Sequence, residues 1–101
     1  MDDIDIELDN MIYTEQLKKT LNNLVRGHIF ERAIEAERKA LLWRKPQYFL
    51  QEWRLSSKKL DLLETAERHC LEALECYEAG DLQWGNFFTA MASKVASDYN
   101  L

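Results

Sequence analysis

The chain has 101 residues, of which 47% are hydrophobic and 31% charged, with a formal net charge of −5. This balance excludes a disordered chain and supports one domain whose core needs neither disulfide nor metal. Pro occurs once and Gly three times, strand-type alternation is missing, and Leu, Ala, Glu, Lys and Arg dominate, so the composition predicts an all-α fold.

Residues 1–13 interleave Asp2, Asp3, Asp5, Glu7 and Asp9 with Ile4, Ile6, Leu8, Met11 and Ile12. They read as an acidic arm or short helix ahead of a single helical-bundle domain over 14–101. An acidic start is the opposite of a targeting peptide, and no apolar run approaches the roughly 20 residues of a membrane span. Thr14 is the expected N-cap of a first helix over 14–26, with Leu17, Leu21 and Leu24 on one face and His28 next in that register. Phe30, Ile34 and Leu41 mark a face rotated by about 100°. Gly27, where the face changes, predicts a kink or break before a second helix over 28–44.

Pro46 closes that region. A third helix is predicted over 47–79, because Phe49, Trp53, Ser56, Leu60, Leu63, Glu67, Cys70, Leu74 and Tyr77 alternate in steps of four and three. Ser56-Ser57 offers a cap for a new helix, yet the register runs through it. Gly80-Asp81 reads as a C-terminal glycine followed by an N-cap, opening a fourth helix over 82–99. Trp84, Phe88, Met91 and Val95 share a face of it. Folded back about the turn, this face sets Trp84 against Tyr77, Met91 against Cys70, and Asp98 or Tyr99 against Leu63. The same exercise about Pro46 pairs Leu41 with Leu50, Ile34 with Ser57 and Phe30 with Leu60.

The expected architecture is a set of antiparallel helical hairpins forming a small elongated bundle. A third helix of about 50 Å must bend or make the molecule elongated, and its remaining apolar stripe suits a homodimer. The segment YEAGDLQWG, residues 77–85, resembles the helix–Gly-Asp–helix turn of tetratricopeptide-like hairpin modules, whose repeat of about 34 residues the chain lacks. That resemblance implies shared turn chemistry only.

Candidate chemistry is sparse. His28 with Glu31 and His69 with Glu72 each share a helix face, and two such pairs supply four potential metal ligands. The di-metal pattern of helical bundles runs Glu before His, the reverse of this order, so both read as surface pairs. Cys70 and Cys76 lie about 9 Å apart along one helix, too far for a disulfide, which implies a reducing cytoplasmic setting. Cys70 falls on the core stripe, and Glu75 and Glu78 flank Cys76, so neither is an activated thiolate. Glu67 and Glu37 interrupt apolar stripes, and Lys94 and Arg54 are their expected partners. No catalytic, cofactor-binding or metal-binding residue is assigned, and no enzymatic activity is expected.

Charge placement carries the functional expectation. Residues 38–59 hold Arg38, Lys39, Arg44, Lys45, Arg54, Lys58 and Lys59 against Glu52, together with Trp43, Tyr48, Phe49 and Trp53. Residues 61–81 hold seven acids against Arg68. Arg44, Lys45, Tyr48, Arg54, Lys58 and Lys59 are the candidate partner-binding residues. The expected function is that of a small non-enzymatic interaction protein, an adaptor, regulator or inhibitor, binding a protein partner. The alternative is a nucleic-acid-binding accessory protein using the basic, aromatic stretch, against which the acidic overall charge speaks. A metal-binding bundle is the weakest reading.

Overall fold

The computed structural model describes the backbone of residues 3–43 and 50–101 and, within these, the side chains from residue 11 onward. Four helices follow in order: α1 (Asp3–Arg26), α2 (Ile29–Trp43), α3 (Leu50–Glu78) and α4 (Leu82–Asp98), with no strand among the described residues. The predicted all-α bundle is therefore the fold. α3 passes through Ser56-Ser57 without a break, as its register required.

The first boundary differs from expectation. No Pro or Gly interrupts residues 3–13, and α1 begins at Asp3 and continues through Thr14. Thr14 is therefore not an N-cap. It is buried, and its Oγ1 accepts a hydrogen bond from Asn86 Nδ2 of α4 at 2.9 Å. The break at Gly27 is present, and His28 takes the left-handed conformation there, with φ 50. Beyond it α2 continues in the sense of α1, so the two helices form one broken rod antiparallel to α3. Lys18 lies over the Tyr77 ring, Leu24 and Phe30 share a hollow with Cys70, and Glu37 meets Lys59. The molecule measures 61 × 25 × 18 Å, and its radius of gyration of 16.9 Å exceeds the roughly 13 Å of a compact domain this long.

The α3–α4 turn is tight because Gly80, at φ 82, closes α3 with paired bonds: Gly80 N–H to Tyr77 O at 3.1 Å and Asp81 N–H to Cys76 O at 2.8 Å. These satisfy carbonyls that a helix end leaves open. Asp81 then caps α4, accepting from the Trp84 N–H at 3.3 Å.

Small residues fill the seam between these helices. Ala66, Cys70 and Ala73 of α3 and Gly85, Thr89, Ala92 and Ala96 of α4 are all buried. This corrects the expected α4 face by about one residue's rotation. Phe88 and Val95 flank the core, whereas Trp84 and Met91 are exposed. On α3, Leu74 and Glu67 likewise fall outside the seam. Small side chains let two helix axes approach closely, and dispersion attraction then acts along the length of the seam. The large buried residues are Leu21, Phe30, Ile34 and Leu63. Each contributes about 1.5–3 kcal/mol of transfer free energy.

Ion pairs mark the α2–α3 register. Arg38 meets Glu64 and Glu37 meets Lys59, both at 2.9 Å. The pairing is thus displaced from Phe30–Leu60 and Ile34–Ser57 by roughly two turns along α3. Arg54 is not the partner of Glu37, and no ion pair joins Glu67 to Lys94.

Gly85 tests the seam directly. An alanine in an open helix position normally stabilises by about 1 kcal/mol relative to glycine. Here a Cβ would sit 2.6 Å from Tyr77 Cδ1 and Cε1. Gly85→Ala is expected to destabilise by about 1–3 kcal/mol, and the same change in a Tyr77→Ala background should lose that penalty. Thermal unfolding followed by circular dichroism checks both, and a higher melting point for Gly85→Ala alone would contradict the close approach.

Candidate interaction surface

The rotation that buries the small face of α4 turns its aromatic face outward. Trp84 is 52% exposed and Phe87 50%, with Met91 in line one turn further on. These rings hold one another in place. Trp84 meets Phe87 edge-on at 5.4 Å between centroids, Phe88 lies 5.8 Å from Trp84 and 5.6 Å from Phe87, and His69 stacks on Phe88 at 5.4 Å. Aromatic pairs in such geometries add about 0.5–1.5 kcal/mol beyond their burial. His69 and Glu72 do face each other, but at 3.9 Å with His69 Nδ1 buried and without a hydrogen bond, so the expected pair is loose and half-buried and the ring is held chiefly by Phe88. His28 and Glu31 do form the expected exposed pair, at 2.8 Å.

Beside this face, α1 and α4 border a groove of about 730 Å³ lined by Met11, Tyr13, Leu82 and Phe87. A polar chain crosses its base. Tyr77 Oη donates to Asn86 Oδ1 at 2.7 Å, and Asn86 Nδ2 donates to Thr14 Oγ1 at 2.9 Å. The single Thr89 hydroxyl proton goes to the Gly85 carbonyl at 2.8 Å, which leaves its 3.4 Å approach to Tyr77 Oη weak. Burial raises the Tyr77 pKa, so this phenol remains a donor through the neutral range. The network ties α1, α3 and α4 together, and the sequence pattern missed it because its members are short polar residues.

The opposite end of the rod carries the basic stretch. α4 stops at Asp98, and Tyr99 packs its ring under Lys59 Nζ at 5.0 Å. Beyond that point α2 and α3 continue as a two-helix arm. Leu42 and Trp43 are 85% and 87% exposed there, and Leu55 and Leu62 are also open to solvent. Ala40, Leu55, Ser56, Leu62 and Tyr99 line a groove of about 560 Å³, with Glu37, Glu52, Lys58 and Lys59 around it. Of the candidate partner-binding residues, Arg54 and Lys58 are exposed on this arm, while Lys59 is half-buried and engaged with Glu37. Arg44, Lys45 and Tyr48, with Phe49, lie outside the described residues.

Among the described residues, no three of His, Cys, Asp and Glu gather as a metal ion would need. Both thiols are free. Burial, with Glu67 adding to it, pushes the Cys70 thiol from 9.0 up to about 11. Partial burial and then Asp81, Glu72 and Glu75 raise Cys76. No family model, curated protein or solved structure matches the chain.

The thiols give a measurable consequence. Iodoacetamide at neutral pH should label Cys76 slowly and Cys70 only when the seam opens, as peptide mass spectrometry would read. The raised Cys70 pKa favours the native state below pH 9, because the unfolded thiol ionises first. That contribution should be lost as pH climbs from 9.0 towards about 11. Labelling of Cys70 at the Cys76 rate would mean that the α3–α4 seam is not closed.

Proposed function

We propose that this chain is a small non-enzymatic interaction protein of the cytoplasm that binds a protein partner through the outer face of α4 and also self-associates as a homodimer. The observation that carries the reading is the inversion of residue size across α4. Alanine, glycine and threonine face the core, while Trp84, Phe87 and Met91 face solvent. Soluble chains seldom leave a contiguous patch of large apolar side chains open unless something covers it, and aromatic residues with Met are enriched at interface centres. The mutual stacking of Trp84, Phe87 and Phe88 holds the patch ready, which lowers the ordering cost of binding. The free thiols support a reducing compartment. Among the described residues, no helix is long and apolar enough to cross a membrane.

Capture from an extract of the native host, with mass spectrometry of what co-purifies, tests the reading. Trp84→Ser/Phe87→Ser is expected to lose the partner that the unchanged protein retains. Its cost in stability should stay near 1 kcal/mol, about the scale of the ring contacts removed. Retention of the same partner by this variant would move the interface elsewhere. Single-stranded nucleic acid retained at low salt, and lost both at high salt and in Arg54→Glu/Lys58→Glu, would replace the protein partner with phosphate recognition on the basic arm.

A further inference from the structure

We propose that the outer face of α4 pairs with the same face of a second copy, the two helices lying antiparallel about a two-fold axis level with Thr89. This names the surface of the self-association inferred above and rests on that reading. Four exposed residues of α4, Trp84, Phe87, Met91 and Lys94, form one ridge in steps of three, four and three. That is the spacing of a left-handed helix pair, whose contacts repeat every 3.5 residues. The neighbouring faces of α4 are already engaged. Gly85, Thr89, Ala92 and Ala96 are buried in the seam, and Phe88 stacks on His69.

The order of residues along the ridge names its occupant. Turned end for end about the level of Thr89, the ridge sets Phe87 against Met91 of the second copy and Trp84 against its Lys94. The other half of the contact repeats both pairs in reverse. A thioether at an aromatic ring and an ammonium over an indole are each favourable, so every member of the ridge meets its complement. Among the described residues Lys94 has no ion pair. In the paired layer it lies within about one turn of Asp98 on its own helix and of Asp81 on the other, an acid on each side. Parallel pairing would instead set Lys94 against Lys94, and that repulsion fixes the antiparallel sense.

The pairing is isologous and closes at two copies. From Trp84 to Lys94 the ridge runs about 15 Å. A contact of one such helix from each copy falls below the roughly 800 Å² per partner of a standard interface. The dimer is therefore weak and in exchange with free chains. A protein partner and a second copy use the same rings, so each excludes the other.

Sedimentation velocity on the full chain, from low to high micromolar concentration, tests this with changes at exposed positions. The unchanged protein should dimerise. Lys94→Ala, the mildest change, should weaken the dimer about tenfold, since the closed pair contains the Trp84–Lys94 contact twice. Trp84→Lys sets lysine against lysine and should leave monomer, with its helical circular dichroism intact. The exchange Trp84→Lys/Lys94→Trp puts each ring opposite a cation again and should recover the dimer. Variants that dimerise like the unchanged protein, or an exchange that stays as weak as Trp84→Lys alone, would overturn this pairing while leaving self-association through another face. An unchanged protein that is monomeric at every concentration would overturn self-association as well. Partner capture is read separately on Lys94→Ala, which keeps Trp84 and Phe87, so failure of the pairing and failure of the partner reading are told apart.

Discussion

Close approach of α3 and α4 is the constraint from which the remaining surfaces follow. Ala66, Cys70, Ala73, Ala92 and Ala96 supply little volume, and Gly85 supplies none where the Tyr77 ring lies against it. Two helices packed on such residues attract one another by dispersion along their length without large side chains between them. Once this face of α4 is committed, helix geometry leaves no choice for Trp84, Phe87 and Met91. Residues one and two steps away from the seam point about 100° and 200° from it. An aromatic outer face is therefore the geometric complement of an alanine inner one.

The second consequence comes from unequal lengths. α3 spans Leu50–Glu78 and α4 spans Leu82–Asp98, so the hairpin is flush at the Gly80 turn and ragged at its other end. Among the described residues, α2 alone accompanies α3 there. Charge follows the same division, with basic residues concentrated over 38–59 and acids over 61–81. Arg38–Glu64 crosses the boundary and Lys59–Glu37 lies near it, each at 2.9 Å. Arg38–Glu64 is exposed and a pair of this kind contributes about 0–1 kcal/mol, whereas Lys59–Glu37 is half-buried and less screened. Among the described residues at that end Arg54 and Lys58 are exposed, and exposed charges steer association more than they hold the fold.

How much of this was legible depends on what sets each feature. The four helices, the break at Gly27, the cap at Gly80-Asp81 and the continuity of α3 all rest on local chemistry, which a sequence displays openly. The α4 face was misread for an instructive reason. Trp84, Phe88, Met91 and Val95 form a clean stripe, yet a hydrophobic pattern counts large residues and is nearly blind to alanine. The parallel stripe of Gly85, Thr89, Ala92 and Ala96 was the signal that could have corrected it. Thr14 was misread because its value lies in a partner 72 positions away, Asn86. The Phe30 and Ile34 pairings failed because a hairpin register extrapolated from Pro46 assumes a tight turn, whereas the ion pairs place it about two turns further on.

Tyr77 joins the seam to the rest of the molecule. One side of its ring lies against Gly85, Lys18 of α1 approaches the ring at 5.4 Å, and its hydroxyl holds Asn86, which in turn holds Thr14. A larger residue at 85 would displace the ring, and the displaced hydroxyl would lose Asn86. Asn86, half-buried beside the groove, would then turn its carbonyl to water in place of the phenol. The Asn86–Thr14 bond would then hold α1 on α4 without the support of the Tyr77 hydroxyl. One ring and two hydrogen bonds thus connect the close packing of α3 on α4 to the point where Thr14 seats α1.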